Sequence, residues 1–222
     1  MDRFLIQVLS VIVAVCIIFF YFYKSQNKTM DNDIWEEEEI ELITAEDPDH
    51  TIFTESIKKG PCVFTGTTVA FDKLQHYPLS ELVKMEESEK LKMNQNLQEH
   101  FLYYAKELNG TKSVVSRGEA ENSVNPLQKV TSKCFCIAQI KGVKKILLFT
   151  PRQEKDLYPS PSNPTVSQAN YFKDPLFNYP KLQDTTYIEI EAYPGHLVSI
   201  PKGYWWTSIT IEESFNSYLR VD

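Results

Sequence analysis

The stretch that most constrains this chain is residues 187–207. It opens with Tyr187-Ile188-Glu189-Ile190-Glu191-Ala192-Tyr193, a strict alternation of apolar and charged residues. Side chains of an extended strand point to opposite faces in turn, so Ile188, Ile190 and Ala192 face a core while Glu189 and Glu191 face water. Pro194-Gly195 marks a tight turn, and Leu197-Val198-Ser199-Ile200 is a second apolar strand. Pro201 and Gly203 stop it, and Tyr204-Trp205-Trp206 begins a third. Read by itself, the stretch predicts an antiparallel meander with its aromatic weight near one loop.

A second block, residues 133–149, reads the same way. Cys134, Cys136, Ala138 and Ile140 alternate with Phe135, Ile137 and Gln139. After Gly142 the run from Lys144 to Phe149 resumes as a hairpin partner. Cys134 and Cys136 fall on one strand face. A zinc site needs a second ligand pair, and neither Cys16 nor Cys62 offers an evident one, so these are read as core thiols. Leu97, Phe101, Ala105 and Leu108 form the stripe of an amphipathic helix over 95–108, stopped by Asn109-Gly110. Ser80 caps a shorter helix over 81–87. Residues 57–64 give a helix end, a turn at Gly60-Pro61 and a strand at 62–64. Residues 111–132 are polar and turn-rich, expected as a loop with one short strand at 113–116; residues 157–182 are rich in Pro and Asn.

The wording of residues 136–207 resembles the JmjC-like cupins, the double-stranded β-helix iron(II)/2-oxoglutarate oxygenases, and among them the asparaginyl hydroxylases. The likeness rests on the run from Gln139 to Phe149, Pro151, Leu157-Tyr158-Pro159, Asp174-Pro175, Phe177, Tyr179-Pro180, Pro194-Gly195, Ile200-Pro201 and Trp205-Trp206. It implies a mainly β fold, a double-stranded β-helix (cupin or jelly-roll) with a few flanking helices. It also implies an iron site made by a His-x-Asp or His-x-Glu on one strand and a distal histidine after the Trp pair. None of the four histidines, His50, His76, His100 and His196, begins such a motif. In the family's register the ligand positions fall at Lys129, Thr131 and Thr207, where an ammonium and two hydroxyls stand, so the resemblance implies a scaffold without its metal. A family lysine that pairs with the distal carboxylate of 2-oxoglutarate falls at Lys144. Tyr158, Trp205 and Trp206 are candidate pocket aromatics for an extended peptide.

Charge and the N-terminus set the remaining bounds. Lys and Arg number 23 against 30 Asp and Glu, a net charge of −7, which argues against a nucleic-acid partner. Residues 4–23 carry no charge and end in Phe19-Phe20-Tyr21-Phe22-Tyr23. At about 1.5 Å per residue they reach roughly 30 Å, a bilayer's hydrocarbon thickness. The expected organisation is an N-terminal transmembrane anchor in residues 1–30, an acidic tether in 31–56 containing four consecutive glutamates, and the cupin-like domain in 57–222, on the cytosolic side. The expected function is a membrane-anchored binding or structural module for a protein or peptide partner. It needs no iron, and Lys144 leaves room for 2-oxoglutarate or another carboxylate. The alternatives are an active iron(II)/2-oxoglutarate protein hydroxylase with ligands elsewhere, and an architectural membrane protein in an assembly.

Overall fold

Alternating strands sort the apolar side chains of this chain among three layers. The computed structural model describes residues 41–44, 50–65, 74, 76–106, 108–174 and 176–222. The apolar run at 4–23 and the glutamate block at 36–39 lie outside them. Among the described residues, no helix is long and apolar enough to cross a membrane. The elements in chain order are β1 (Glu41–Thr44), α1 (His50–Lys59), β2 (Cys62–Thr65), α2 (Leu79–Lys84), α3 (Glu87–Tyr104), β3 (Lys112–Glu119), β4 (Val124–Lys129), β5 (Cys134–Lys141) and β6 (Lys144–Phe149). Short 3₁₀ turns follow between residues 151 and 184. Then come β7 (Ile188–Ala192), β8 (Leu197–Pro201), β9 (Trp205–Thr210) and β10 (Ser214–Val221).

The strands form a six-stranded sheet in the order β1-β2-β8-β5-β10-β3 and a four-stranded sheet in the order β4-β9-β6-β7. Only the β1–β2 pairing is parallel; the others are antiparallel. From β3 onward each strand lies in the other sheet from its predecessor, except β7, which pairs back onto β6. The architecture is mainly β, with two largely antiparallel sheets face to face, as in cupins and jelly rolls. The described residues all belong to one compact unit.

Two expected hairpins are corrected by this topology. Residues 187–207 are not a meander, because β7 and β9 belong to one sheet and β8 to the other. Likewise β5 and β6 are joined through Gly142 but pair in different sheets. Alternation reports which face of a strand is apolar, and that face is the same whether the next strand pairs with it or crosses over. Gly142 has φ +69, and an added Cβ would meet the backbone carbonyl oxygens of Glu212 and Glu213, so the crossing requires glycine.

Ile137, Ile146, Leu148, Ile190, Val198, Ile200 and Trp206 fill the space between the sheets. On the far side of the six-stranded sheet, Cys62, Phe64, Cys136, Ala138, Phe215 and Leu219 meet Phe53 and Ile57 of α1, Leu82 of α2 and Met93, Leu97 and Phe101 of α3. The far side of the four-stranded sheet carries Leu147, Phe149 and Trp205, covered by Leu157, Ala169 and Leu182 from the segment after β6. Each fully buried Val, Leu, Ile or Phe among them contributes about 1.5–3 kcal/mol. Cys134 and Cys136 are fully buried with their sulfurs 3.5 Å apart, as core thiols.

Helix ends differ from expectation. A capping box between Glu86 and Glu89 starts α3 at Glu87 rather than at 95, adding turns in which Met93 is the buried hydrophobic residue. Pro78, not Ser80, stands at the N-cap of α2. The short strand expected at 113–116 is the middle of a longer one, β3, and the rest of the expected loop over 111–132 contains β4. Their inward residues are polar, which hides the alternation.

Candidate functional site

Those hidden polar residues meet at one end of the space between the sheets. Opposed residues in an antiparallel pair share a face. Val115 of β3 opposes Tyr218 of β10, and Tyr218 points between the sheets. Arg117 and Glu119, two and four residues along β3, therefore point inward as well. Ser208 of β9 opposes both Ile146 of β6 and Asn125 of β4, which places Asn125 and Ser208 on the inner face. Lys144, two residues before Ile146, follows suit. Five strands thus deliver Arg117, Glu119, Asn125, Lys144, Ser208, Thr210 and Tyr218 to one place.

The centre is an ion pair between the Lys144 ammonium and the Glu119 carboxylate. The Lys144 side chain is fully buried and that of Glu119 is 7 % exposed. Lys144 Nζ also donates to Tyr218 Oη at 2.8 Å. Tyr218 Oη in turn donates to Glu119 Oε1. Arg117 Nε donates to the same oxygen at 2.9 Å, and Thr210 Oγ1 to Glu119 Oε2 at 3.2 Å. Arg117 Nη2 reaches Asn125 Oδ1 at 2.6 Å, and Asn125 Nδ2 donates to Ser208 Oγ at 2.9 Å. The Arg117 guanidinium lies over the Tyr218 ring, 4.6 Å from its centroid.

The electrostatics follow from this crowding of donors. Burial by itself would raise the Glu119 carboxyl, but Lys144, Tyr218 and Arg117 more than reverse that and bring it from 4.5 down to about 2. Lys144 moves down, because its burial outweighs the pull of Glu119 and Arg117 adds repulsion. The two shifts rank burial against pairing differently, and the contacts say why: Glu119 accepts from several donors, whereas Lys144 has one anion. Burial, then the Glu119 charge, push the Tyr218 phenol upward. Tyr218 stays neutral and the carboxylate stays ionised.

The Tyr218 ring has a second role. It stacks with Phe135 at 5.9 Å, and Phe135 stacks with Trp206 at 5.1 Å. Aromatic rings therefore occupy the interior next to the ion pair.

The residues expected from sequence are distributed otherwise. Thr207 opposes Leu147 and lies on the outer face of the four-stranded sheet, where its hydroxyl donates to the Asn125 carbonyl at 2.7 Å. Lys129 opposes Trp205 on that same outer face and pairs with Glu154 at 2.6 Å. Thr131 is exposed in the loop after β4. These three positions do not converge between the sheets. The inner-face residues at this level are Gln128 and Trp206, which oppose each other. Thr207 therefore lies on the opposite face from its neighbour Trp206, because one residue along a strand exchanges the faces. Among the described residues, no three His, Cys, Asp or Glu side chains are grouped to hold a metal ion.

The candidate aromatics also part company. Trp205 is fully buried on the outer face and Trp206 is buried on the inner one. Tyr158 packs in the outer layer, edge-to-face with Tyr179 at 5.1 Å. Of the expected site residues, Lys144 is the one at the centre of the cluster. Its partners Arg117, Glu119, Asn125 and Tyr218 went unread in the sequence. The available signal was Lys144 itself, since a buried ammonium requires an anion; that anion lies 25 positions upstream.

Comparison with known proteins agrees with the fold. Residues 136–219 match the family model described as the cupin-like domain. The chain is 31% identical over 96 residues to lysine-specific demethylase 8 of Danio rerio, which is 42% of this chain and 23% of that protein. It is 29% identical over 106 residues to JmjC domain-containing protein D of Dictyostelium discoideum, 44% of this chain and 22% of that protein. The chain thus spans less than a quarter of the length of either relative. Residues 136–219 are thus similar to the cupin-like domain, and the chain resembles a lysine-specific demethylase and a JmjC domain-containing protein over less than half of its length.

Proposed function

We propose that this protein is a membrane-anchored cupin/JmjC-like module that binds or scaffolds a protein partner and does not run iron(II)/2-oxoglutarate chemistry. The observation that carries this reading is the closed lysine. In the asparaginyl hydroxylases it resembles, the lysine at the position of Lys144 receives the co-substrate's carboxylate. Here the carboxylate of Glu119 sits against Lys144 and Tyr218 instead. Displacing it would strand a buried charge, at a cost of several kcal/mol. The donor set points the same way. Gln128 and Trp206, the inward residues level with the expected ligand positions, offer no carboxylate or imidazole, so iron does not fit there. Residues 4–23 would supply the anchor, with the barrel on the cytosolic side.

The relatives favour a second reading, a 2-oxoglutarate-dependent oxygenase, because one of them is named a lysine-specific demethylase. Anaerobic calorimetric titration of the full-length chain with iron(II) and 2-oxoglutarate separates the two. The proposal expects no stoichiometric binding of either. Saturable 1:1 binding, followed by succinate release on admitting oxygen, would establish the oxygenase.

A further inference from the structure

The alternating strand that opens the informative stretch of sequence is also an open edge. β7 pairs with β6 on one side, and among the described residues no other strand follows it in the sheet. Among the described residues, no backbone hydrogen bond from another segment reaches residues 188–192. A strand edge of this kind presents unpaired N–H and C=O groups to solvent.

The side chains along this edge are not neutral. Tyr187, Glu189, Glu191 and Tyr193 all point away from the interior at a spacing of two residues. Tyr187 and Tyr193 are each 44% exposed, and Glu189 and Glu191 are exposed between them. Lys145 of β6 reaches Glu189 at 2.6 Å, and the Tyr193 hydroxyl donates to Glu191 at 2.5 Å. Glu212 and Glu213, both exposed, extend the negative surface beyond β9. Two copies of β7 paired edge to edge would oppose glutamate with glutamate, which is unfavourable. A positively charged strand would meet complementary charge and backbone partners together.

We propose that the β7 edge receives an extended basic segment of a partner protein by strand addition. Lys or Arg at alternate positions would oppose Glu189 and Glu191, with apolar side chains against Tyr187 and Tyr193. The inference stands whether or not the barrel interior is catalytic, because neither Glu119 nor Lys144 lies on this edge.

The test uses the full-length chain and a short fluorescent peptide alternating lysine and valine, read by anisotropy. Three controls accompany it: the same peptide with glutamate for lysine, the same peptide N-methylated along one edge, and the Glu191→Lys variant. Binding of the lysine peptide is expected, with no binding of the glutamate peptide. Glu191→Lys should weaken binding about tenfold, the scale of an opposed charge pair turned repulsive. N-methylation should abolish binding, since it removes donors without touching charge. Equal binding of the N-methylated peptide would reduce the effect to simple charge attraction and overturn strand addition. Failure of the lysine peptide to bind, or indifference to Glu191→Lys, would remove this edge as the site.

Discussion

Replacing Lys144 with methionine keeps most of the side-chain volume and removes the charge that Glu119 faces. The cost can be worked out in two ways. Breaking a buried ion pair by deleting one partner typically costs about 3–5 kcal/mol. Here Tyr218, Arg117 and Thr210 still donate to the carboxylate, which brings the figure to about 2–3 kcal/mol. Alternatively, the fall of the Glu119 carboxyl from 4.5 to about 2, shared among Lys144, Tyr218 and Arg117 and screened at a partly exposed site, sets an upper bound of about 3 kcal/mol. Part of that is returned by Lys144, whose burial disfavours its charged form. The first figure, about 2–3 kcal/mol, lies within that bound and corresponds to a fall in Tm of about 5–10 °C for a domain of this size. The pH dependence carries a definite sign. A carboxyl held below its unfolded value contributes stability that is present above about 4.5 and is lost as pH falls toward about 2. The Lys144→Met penalty should therefore be full near neutrality and shrink through that window. Thermal unfolding followed by circular dichroism at several pH values reads both. A loss below about 0.5 kcal/mol, or one that does not diminish in acid, would refute Lys144 as the partner that holds Glu119 ionised.

Other outcomes follow from the same contacts. Gly142→Ala should cost about 2–4 kcal/mol in chemical denaturation, since φ +69 and the backbone carbonyls of Glu212 and Glu213 leave a methyl no room. Arg117→Ala, at a half-exposed position, should cost about 1 kcal/mol and leave the fold intact by circular dichroism. Cys62, Cys134 and Cys136 should resist a thiol reagent in the folded chain and react on unfolding, because all three are buried and burial pushes the Cys136 thiol well up. Lys129→Ala should leave stability within about 0.5 kcal/mol, its bond to Glu154 being a partly exposed pair on the outer face.

The sequence made some parts of this molecule legible and concealed others for physical reasons. Ile188, Ile190 and Ala192 announced β7 because their inward neighbours are apolar, and the same logic placed β5, β6 and β8. Strand partners were not legible, since Gly142 can close a hairpin or carry a chain from one sheet to the other. β4 was missed, and β3 was read only as a short strand at 113–116, because the remaining inward positions hold Arg117, Glu119 and Asn125, which read as loop chemistry. The polar centre was therefore invisible for the same reason that it exists: its members face inward but are not hydrophobic. The likeness to JmjC-like cupins located Lys144, yet it could not show whether Thr207 or its neighbours point between the sheets. That depends on register, which the pairing of β9 with β6 decides.

A buried ion pair is a poor means of gaining stability, which raises the question of what this one does. Well-packed apolar residues in place of a buried pair are often neutral or more stable by about 1–4 kcal/mol. The members of this cluster come from β3 and β10 in one sheet and β4, β6 and β9 in the other. β3 is an edge strand, and β4 is the edge of the facing sheet. Glu119 on β3 bonds across the gap to Lys144 on β6 and Thr210 on β9, and Arg117 bonds to Asn125 on β4. The cluster thus fixes how two edges meet, with directional bonds where apolar contacts would allow sliding. A double replacement, Glu119→Leu with Lys144→Met, should then retain global stability within about 1 kcal/mol by denaturant titration. Native-state hydrogen exchange should nevertheless show lower protection in β3, since the strand keeps β10 as its neighbour but loses its ties to the facing sheet. Undiminished β3 protection in the double variant would mean that packing alone sets the seam, and that the ion pair specifies nothing beyond its own burial.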